Sequence, residues 1–440
     1  MEKWHNKRTM AVFTIYKPEI KGNEAIFRYS YADFTFTEVQ KFPFAPELSK
    51  ALYALTIASS VSYYKFHLAK DIHIEWHLDT TEIIFWEWLF KNGFSELVYQ
   101  NTLDWNILDQ THIYCAADTI PTFNIVDLEE KAIVGIGGGK DSSVAVTLLQ
   151  KMNIEVTGFA TESRHIPLIR ENVQALAIPF SPITRTLDPQ LHTLRTDVFL
   201  GHIPISLVYA LTGVVIAMHE KSSYVFVANE TSADEANTEW QGRLVNHQWS
   251  KTSTFENTLQ EFVRATIHPS LTYASILRPF GGLRIGKIFA ETCQNTFGSF
   301  SSCNRNFIIT KTQPHDSYWC GVCAKCLGTY ILLAPYIPHD DLARIFPHTI
   351  AYDLTLLPLL RELTGLSPVK PFDCVATRSE MCVALAALPA HLRALPLFES
   401  LTQTEWQYIT NEAEKGTHYL TDVYPHFLPE TVSKKLFAVV

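Results

Sequence analysis

The sequence predicts an α/β protein. A domain built on a parallel sheet occupies residues 129–335, with an α+β domain at 1–128 before it and a helical region at 336–440 after it. Three observations predict this. From Lys131 onward, apolar runs of strand length alternate with helical runs, the pattern of a parallel sheet covered on both faces. Gly137, Gly138 and Gly139 form a turn between the first such strand and helix. Beyond Asp340, apolar residues recur at helical spacing.

Taken in order, residues 10–45 alternate through Val12, Thr14 and Tyr16, then Ala25, Phe27, Tyr29 and Tyr31, then Phe34 and Phe36. Lys21-Gly22-Asn23 between two of these runs predicts strands joined by tight turns. Residues 46–112 read as helical, and their tryptophans (Trp76, Trp86, Trp88, Trp105) as core. Next come a strand at Ile133–Ile136, a helix at 142–151, a strand at 155–160, a helix at 167–176 and a strand at 180–184. A buried helix over 203–219 and a strand over 223–228 complete the alternation, which places ligands at the strands' carboxyl ends. Thr161, Asn229 and Glu230 fall at such ends. Residues 231–256 are long, polar and weakly periodic, the texture of a functional connection.

Composition bounds the partners. The 440 residues are 47% hydrophobic and 18% charged, enough for two or three packed domains without long disordered tails. A net charge of −9 gives no general affinity for nucleic acid. The first residues lack the apolar core of a signal peptide. The longest apolar stretch, 203–218, is broken by Pro204, Ser206, Thr212 and Gly213, which suits a core helix better than a membrane span. A cytoplasmic protein without membrane or nucleic-acid partners is expected; the sequence sets no oligomeric state.

The turn Gly137-Gly-Gly-Lys-Asp-Ser142 is an anion site by construction, because backbone N–H groups and a helix dipole converge there. It is not a P-loop, which would need glycine at Val134 and Ser or Thr at Asp141. It is not the dinucleotide fingerprint either, since Lys140 stands where the third glycine belongs. It resembles the Ser-Gly-Gly-x-Asp-Ser loop of the PP-loop ATP pyrophosphatases, which implies their HUP-like domain and cleavage of ATP between the α and β phosphates. Gly137 departs from that pattern, removing one hydroxyl contact to phosphate.

Eight cysteines are unevenly spread, with Cys320, Cys323 and Cys326 inside seven positions. That spacing points to a metal rather than a disulfide framework. With Cys303 as fourth ligand, or Cys293 in its place, four thiolates suit a closed structural zinc. An iron–sulfur cluster and reactive thiols are the alternatives. Cys115, Cys374 and Cys382 read as buried small hydrophobes.

Several PP-loop enzymes, among them the 7-cyano-7-deazaguanine synthases, carry a similar cysteine triplet but are much shorter. The whole combination resembles the UDP-N-acetylmuramoyl-L-alanyl-L-glutamate epimerases of peptidoglycan synthesis, the MurL type. The resembling segments are the glycine loop, Gly201-His-Ile-Pro204, Ala228-Asn-Glu230 with Ser232-Ala233, Asn246-His-Gln-Trp-Ser-Lys251, and Trp319-Cys-Gly-Val-Cys-Ala-Lys-Cys326. The resemblance implies adenylation of a glutamate carboxylate by ATP, followed by removal and return of its α-proton. It assigns Gly137, Gly138, Gly139, Ser142 and Ser143 to the phosphates, Lys140 to the departing pyrophosphate, and Asp141 to magnesium or the helix N-terminus. Thr161 is a ribose or adenine candidate or a strand end. Asn229 and Glu230 would position metal or substrate. His247, with Lys251 second, is expected to move the proton, with His202 or Glu230 as partner. Arg164, Arg243, Arg278 and Arg284 are interchangeable candidates for the UDP phosphates. A PP-loop enzyme acting on a nucleobase or tRNA, and a non-catalytic nucleotide-binding module, are the rival readings.

Overall fold

The computed structural model describes residues 11–117, 126–193, 198–307, 318–347 and 349–440. The alternating N-terminal segment folds as expected into β1 (Phe13–Ile15), β2 (Glu19–Lys21), β3 (Glu24–Tyr31) and β4 (Phe34–Lys41). Gly22, at φ 62°, turns the tight β2–β3 hairpin in a backbone region that L side chains adopt only with strain. The 46–112 segment holds the helices Lys50–Ser59 and Thr80–Asn92, but it is not wholly helical. Two four-residue strands, β5 (Asp71–Ile74) and β6 (His112–Cys115), extend the sheet parallel to β1. Strands of that length are too short to display a period. Trp76, Trp86 and Trp105 are buried core, as read from the sequence.

The central strands follow: β7 (Glu129–Gly135), β8 (Glu155–Glu162), β9 (Phe180–Thr186) and β10 (Ser222–Val227). The polar stretch after β10 makes a small hairpin of β11 (Thr238–Trp240) and β12 (Arg243–Val245). A further strand, β13 (Thr272–Ser275), closes one edge of the main sheet. Its four residues are all buried, so no alternation marked it in the sequence. The order β13-β10-β7-β8-β9 is entirely parallel and continues through β4, β3, β1, β5 and β6, so segments 1–128 and 129–335 share one sheet.

Alternate residues of β7 feed opposite cores. Ala132 and Val134 join one with helices Lys140–Lys151, Gly282–Thr292 and Ala324–Leu333 and the C-terminal helices. Ile133 joins the other, with helices Thr80–Asn92, Ile205–Glu220 and Ser253–Thr266. Both faces are covered, as the near-continuous apolar strands require. Among the described residues no helix is long and apolar enough to cross a membrane.

At the seam where β4 meets β9 antiparallel, Arg185 donates from Nε and Nη2 to the two carboxylate oxygens of Glu38, each at 2.8 Å, with both side chains buried. Removing one member of such a pair strands the other charge in a low dielectric. Arg185→Met is therefore expected to cost about 3–5 kcal/mol in urea unfolding, and adding Glu38→Met to recover most of it.

Candidate active site

Winding runs one way from β7 to β8 and β9 and the other way to β10 and β13, so the chain direction across the sheet reverses between β7 and β10. At such a point the connections leaving the two carboxyl ends diverge and open a crevice. The glycine loop leaves β7 there, and Ala228-Asn229-Glu230 leaves β10. A cavity of about 690 Å³ occupies the crevice, lined by Gly137, Gly139, Lys140, Asp141, Ser142, Thr161, Asn229 and Glu230. His202, His247 and Lys251 line it as well, so residues read from five separate sequence segments converge.

The loop is built tightly. Helix Lys140–Lys151 starts immediately after Gly139, and Ser142 and Ser143 donate to the Gly139 carbonyl at 3.1 and 3.2 Å. Gly138 has φ 75°, and a Cβ there would press on Leu168 at 3.3 Å. Ser143 is fully buried and accepts from Asn172 Nδ2 at 3.1 Å. Gly138 and Ser143 therefore shape the loop without lining the cavity. A Cβ on Gly137 would meet nothing within 4 Å, so space does not explain the missing serine.

Lys140 is buried, with Nζ on the Asp141 carboxylate and 3.7 Å from Glu230 Oε2. Burial alone would lower its pKa, but the two carboxylates raise it above the ordinary lysine range. Burial pushes Asp141 up, against the pull of Lys140. Glu230 Oε1 accepts from Ser232 Oγ at 2.6 Å, whereas its Oε2 is buried without a hydrogen-bond partner among the described residues. Thr161 Oγ1, at the end of β8, is likewise buried and unpartnered. Orphaned buried polar atoms are costly unless something else satisfies them. A nucleotide hydroxyl or phosphate at Thr161, and a divalent cation shared by Asp141 and Glu230, would do so; both donor sets fit such a ligand.

The opposite wall comes from the Asn246–Lys251 segment, folded on itself by Asn246, whose side chain bonds Ala233 O and Gln248 N. Arg278 holds the segment from beneath. Fully buried against Glu256 at 2.8 Å, it donates to the carbonyls of Lys251 and Glu230. It is thus an internal clamp. Arg243 pairs with Asp109, Arg284 reaches the 421–422 carbonyls, and Arg164 bonds Asn306 O; none of the four arginines lines the cavity.

His247 Nδ1 lies 2.6 Å from Glu96 Oε2, and its ring is 4.2 Å from that of His202. Burial disfavours the imidazolium, but hydrogen bonds to Cys374 and Glu96 raise His247 to about 9. The imidazolium is therefore favoured at neutral pH. Lys251 Nζ lies 3.2 Å from Cys374 Sγ, and that sulfur chiefly raises the lysine's pKa. Cys374 is not the inert apolar residue the sequence suggested: it is only half-buried and lines the cavity. Burial pushes its thiol up, yet Lys251, His247 and Lys325 together bring it to about 6. Sequence reasoning did not single out Cys374 and Lys325, which line the cavity, or Glu96, which holds His247. The signal for Lys325 was present, since it sits inside the cysteine motif and lines the same cavity.

Cys303, Cys320, Cys323 and Cys326 bring their sulfurs within 4.8 Å of one another. Three of the separations are 3.4, 3.7 and 4.0 Å. A tetrahedron with metal–sulfur bonds of about 2.3 Å has edges of about 3.8 Å, so the donor set fits zinc. Cys293 stands outside the group, its sulfur 3.5 Å from the hydroxyls of Thr147 and Thr292.

Two known domain families match this chain. The MurL N-terminal domain family matches residues 4–276, and the MurL C-terminal domain family matches residues 299–413. Three curated relatives are each named UDP-N-acetyl-alpha-D-muramoyl-L-alanyl-L-glutamate epimerase. The one from Micromonospora sp. is 28% identical over 98% of both chains. That from Xanthomonas oryzae pv. oryzae is 32% identical over 78% of this chain and 75% of its own. That from Salinispora tropica is 28% identical over 92% of each. With both domain families matched in order over most of its length, the chain belongs to the MurL family.

Proposed function

We propose that this chain is an ATP-dependent epimerase that converts the terminal L-glutamate of UDP-MurNAc-L-Ala-L-Glu to D-glutamate, supplying a peptidoglycan precursor. One observation carries the reading: the glycine loop and the ionisable side chains of His202, His247, Lys251 and Cys374 line a single cavity. A free carboxylate opposes a carbanion on the carbon beside it. Adenylation removes that charge and leaves an activated acyl group whose enolate an enzyme can stabilise. ATP is thereby converted to AMP and pyrophosphate, and hydrolysis of the acyl phosphate drives release.

In this reading the backbone N–H groups of Gly137–Gly139 and the start of the Lys140–Lys151 helix cradle phosphate, with the Ser142 hydroxyl at its edge. Lys140 counters the charge on the departing pyrophosphate. Asp141 and Glu230 would hold magnesium, which supplies charge neutralisation of the triphosphate. Thr161 offers its unpartnered hydroxyl to the nucleoside, and Asn229 its amide to nucleotide or substrate. Lys251, His247 and Lys325 give the far wall positive charge suited to an anionic glutamyl group. The four cysteines would hold a structural zinc away from the chemistry. Both substrates are cytoplasmic compounds, and we place the reaction in that compartment.

Incubation with ATP, magnesium and the L-Glu dipeptide precursor should give AMP, pyrophosphate and the D-Glu epimer in equal amounts, and no epimer without ATP. AMP formed only with RNA or a deazapurine would sink the proposal in favour of a nucleobase-modifying enzyme. ATP bound without turnover would favour a binding module.

A further inference from the structure

Cys374 stands in a segment pinned from three sides. Asn237 Nδ2 donates to Pro371 O at 2.7 Å, Asn304 Nδ2 to Asp373 Oδ1 at 2.8 Å, and Lys370 Nζ to the Glu235 carboxylate. Its sulfur is thereby presented to the cavity beside Lys251 Nζ and within hydrogen-bonding reach of His247. His247 is in turn oriented by Glu96 through Nδ1. A reactive group, a cation or acid against it, and a third residue orienting that partner make up the geometry of an activated thiolate.

Removing an α-proton needs an available electron pair. Lys251 and His247, the residues the sequence offered for this task, are both held in their cationic forms by the arrangement they share with Cys374. Neutral His202 has an electron pair, but burial and the neighbouring cations hold its pKa well below the ordinary histidine value, making it a feeble base. Asp141 and Glu230 lie on the phosphate side, engaged with Lys140. The sulfur is what remains on the wall facing the acyl group. We propose that Cys374 Sγ is the base that takes the α-proton of the adenylated glutamyl residue, with Lys251 and His247 as its counter-charges.

This rests on the ATP-dependent epimerase reading. In the step, the sulfur lone pair forms an S–H bond as the Cα–H bond breaks. The freed electron pair forms a Cα–C double bond, and the carbonyl π pair moves onto oxygen. The enolate collapses as a water or protonated group on the opposite wall returns a proton to the other face of Cα. Water then cleaves the acyl–phosphate bond to give carboxylate and AMP, and the thiol loses its proton to solvent.

The test compares the zinc-loaded full chain with Cys374→Ser and Cys374→Ala. Substrate-dependent ATP–pyrophosphate exchange reports adenylation, and deuterium entering the glutamate α-carbon from D2O reports proton removal. Both variants are expected to keep exchange within about tenfold while losing deuterium incorporation by about 10²–10⁴-fold. In the unsubstituted protein, iodoacetamide alkylation of the Cys374 peptide, followed by mass spectrometry, is expected to have its pH midpoint near 6. Lys251→Met should shift that midpoint upward. Deuterium incorporation in either variant within tenfold of the parent overturns the proposal. So does an acid-stable acyl-enzyme on Cys374, which would make the sulfur a nucleophile instead. Should both variants also lose adenylation, the alkylation profile decides, and a midpoint above about 8, the range of an ordinary thiol, overturns it. Failure of the parent protein to release pyrophosphate with this dipeptide would defeat the ATP-dependent reading itself, a separate result.

Discussion

Cys326→Ser is expected to strip the metal and unfold much of the region carboxyl-terminal to the cysteines. Cys326 is fully buried, and its sulfur lies 3.4 Å from Cys323 and 3.7 Å from Cys320 within the four-sulfur group. Serine cannot supply a thiolate, and three thiolates bind zinc far less well than four. In small zinc domains binding of this kind is worth about 10–16 kcal/mol of folding free energy. Here the surrounding core supplies part of the stability, so the loss should be smaller but still dominate any single packing change. Helix Ala324–Leu333 starts inside the motif and packs in the same core as helix Arg378–Ala386, so the effect should spread to that region. Lys325 would lose its place in the cavity at the same time. The measurement is zinc per chain together with a circular-dichroism melt. We expect about one equivalent in the parent and in Cys293→Ser, and little metal with a lowered, broadened transition in Cys326→Ser. A Cys326→Ser protein that melts like its parent would exclude a structural metal there.

What the sequence made legible was local. Six consecutive residues spell the glycine loop, and three cysteines in seven positions spell the metal motif, because each set is positioned by one turn of chain. Strands β7, β8 and β10 were readable from their apolar runs, whereas in β9 buried residues alternate with half-exposed and exposed ones. The remainder depends on contacts between distant segments. Lys251 and Cys374 meet across 123 positions, and His247 and Glu96 across 151, so neither the thiol's electrostatics nor the acid behind the histidine left a local pattern. Cys374 looked like any isolated cysteine until its neighbours were known. Arg278 failed in the opposite direction: a charge that braces the backbone has the same letter as one that binds phosphate. The continuation of the parallel sheet into the N-terminal strands turns on three residue pairs between β4 and β9, too few to leave a sequence period.

Lys140→Met should separate the lysine's structural role from its chemical one. Its ammonium is buried between Asp141 and Glu230, so its removal leaves two carboxylates near each other in a poorly solvated pocket. Breaking such an arrangement typically costs about 3–5 kcal/mol. The cavity offers the carboxylates some water, so the lower end is expected. The pH dependence has a definite sign. Burial already raises Asp141, and without Lys140 it rises further above its unfolded value. The folded variant then holds more protons than the unfolded chain, so its stability should be greatest at low pH and fall as pH rises through the folded pKa. Urea unfolding at pH 5 and pH 8 should show the gap to the parent widening at the higher value. Activity should fail more steeply than stability. A fixed cation aimed at charge developing on a leaving group is worth about 10²–10³ in rate, so substrate-dependent AMP formation should drop by that factor at pH 7, under conditions where the variant is still folded. Magnesium titration adds a readout that a purely structural role would not move. With the competing ammonium gone, the Asp141–Glu230 pair should bind the ion more tightly in Lys140→Met than in the parent. Unchanged magnesium affinity together with parental AMP formation would remove Lys140 from the phosphate site.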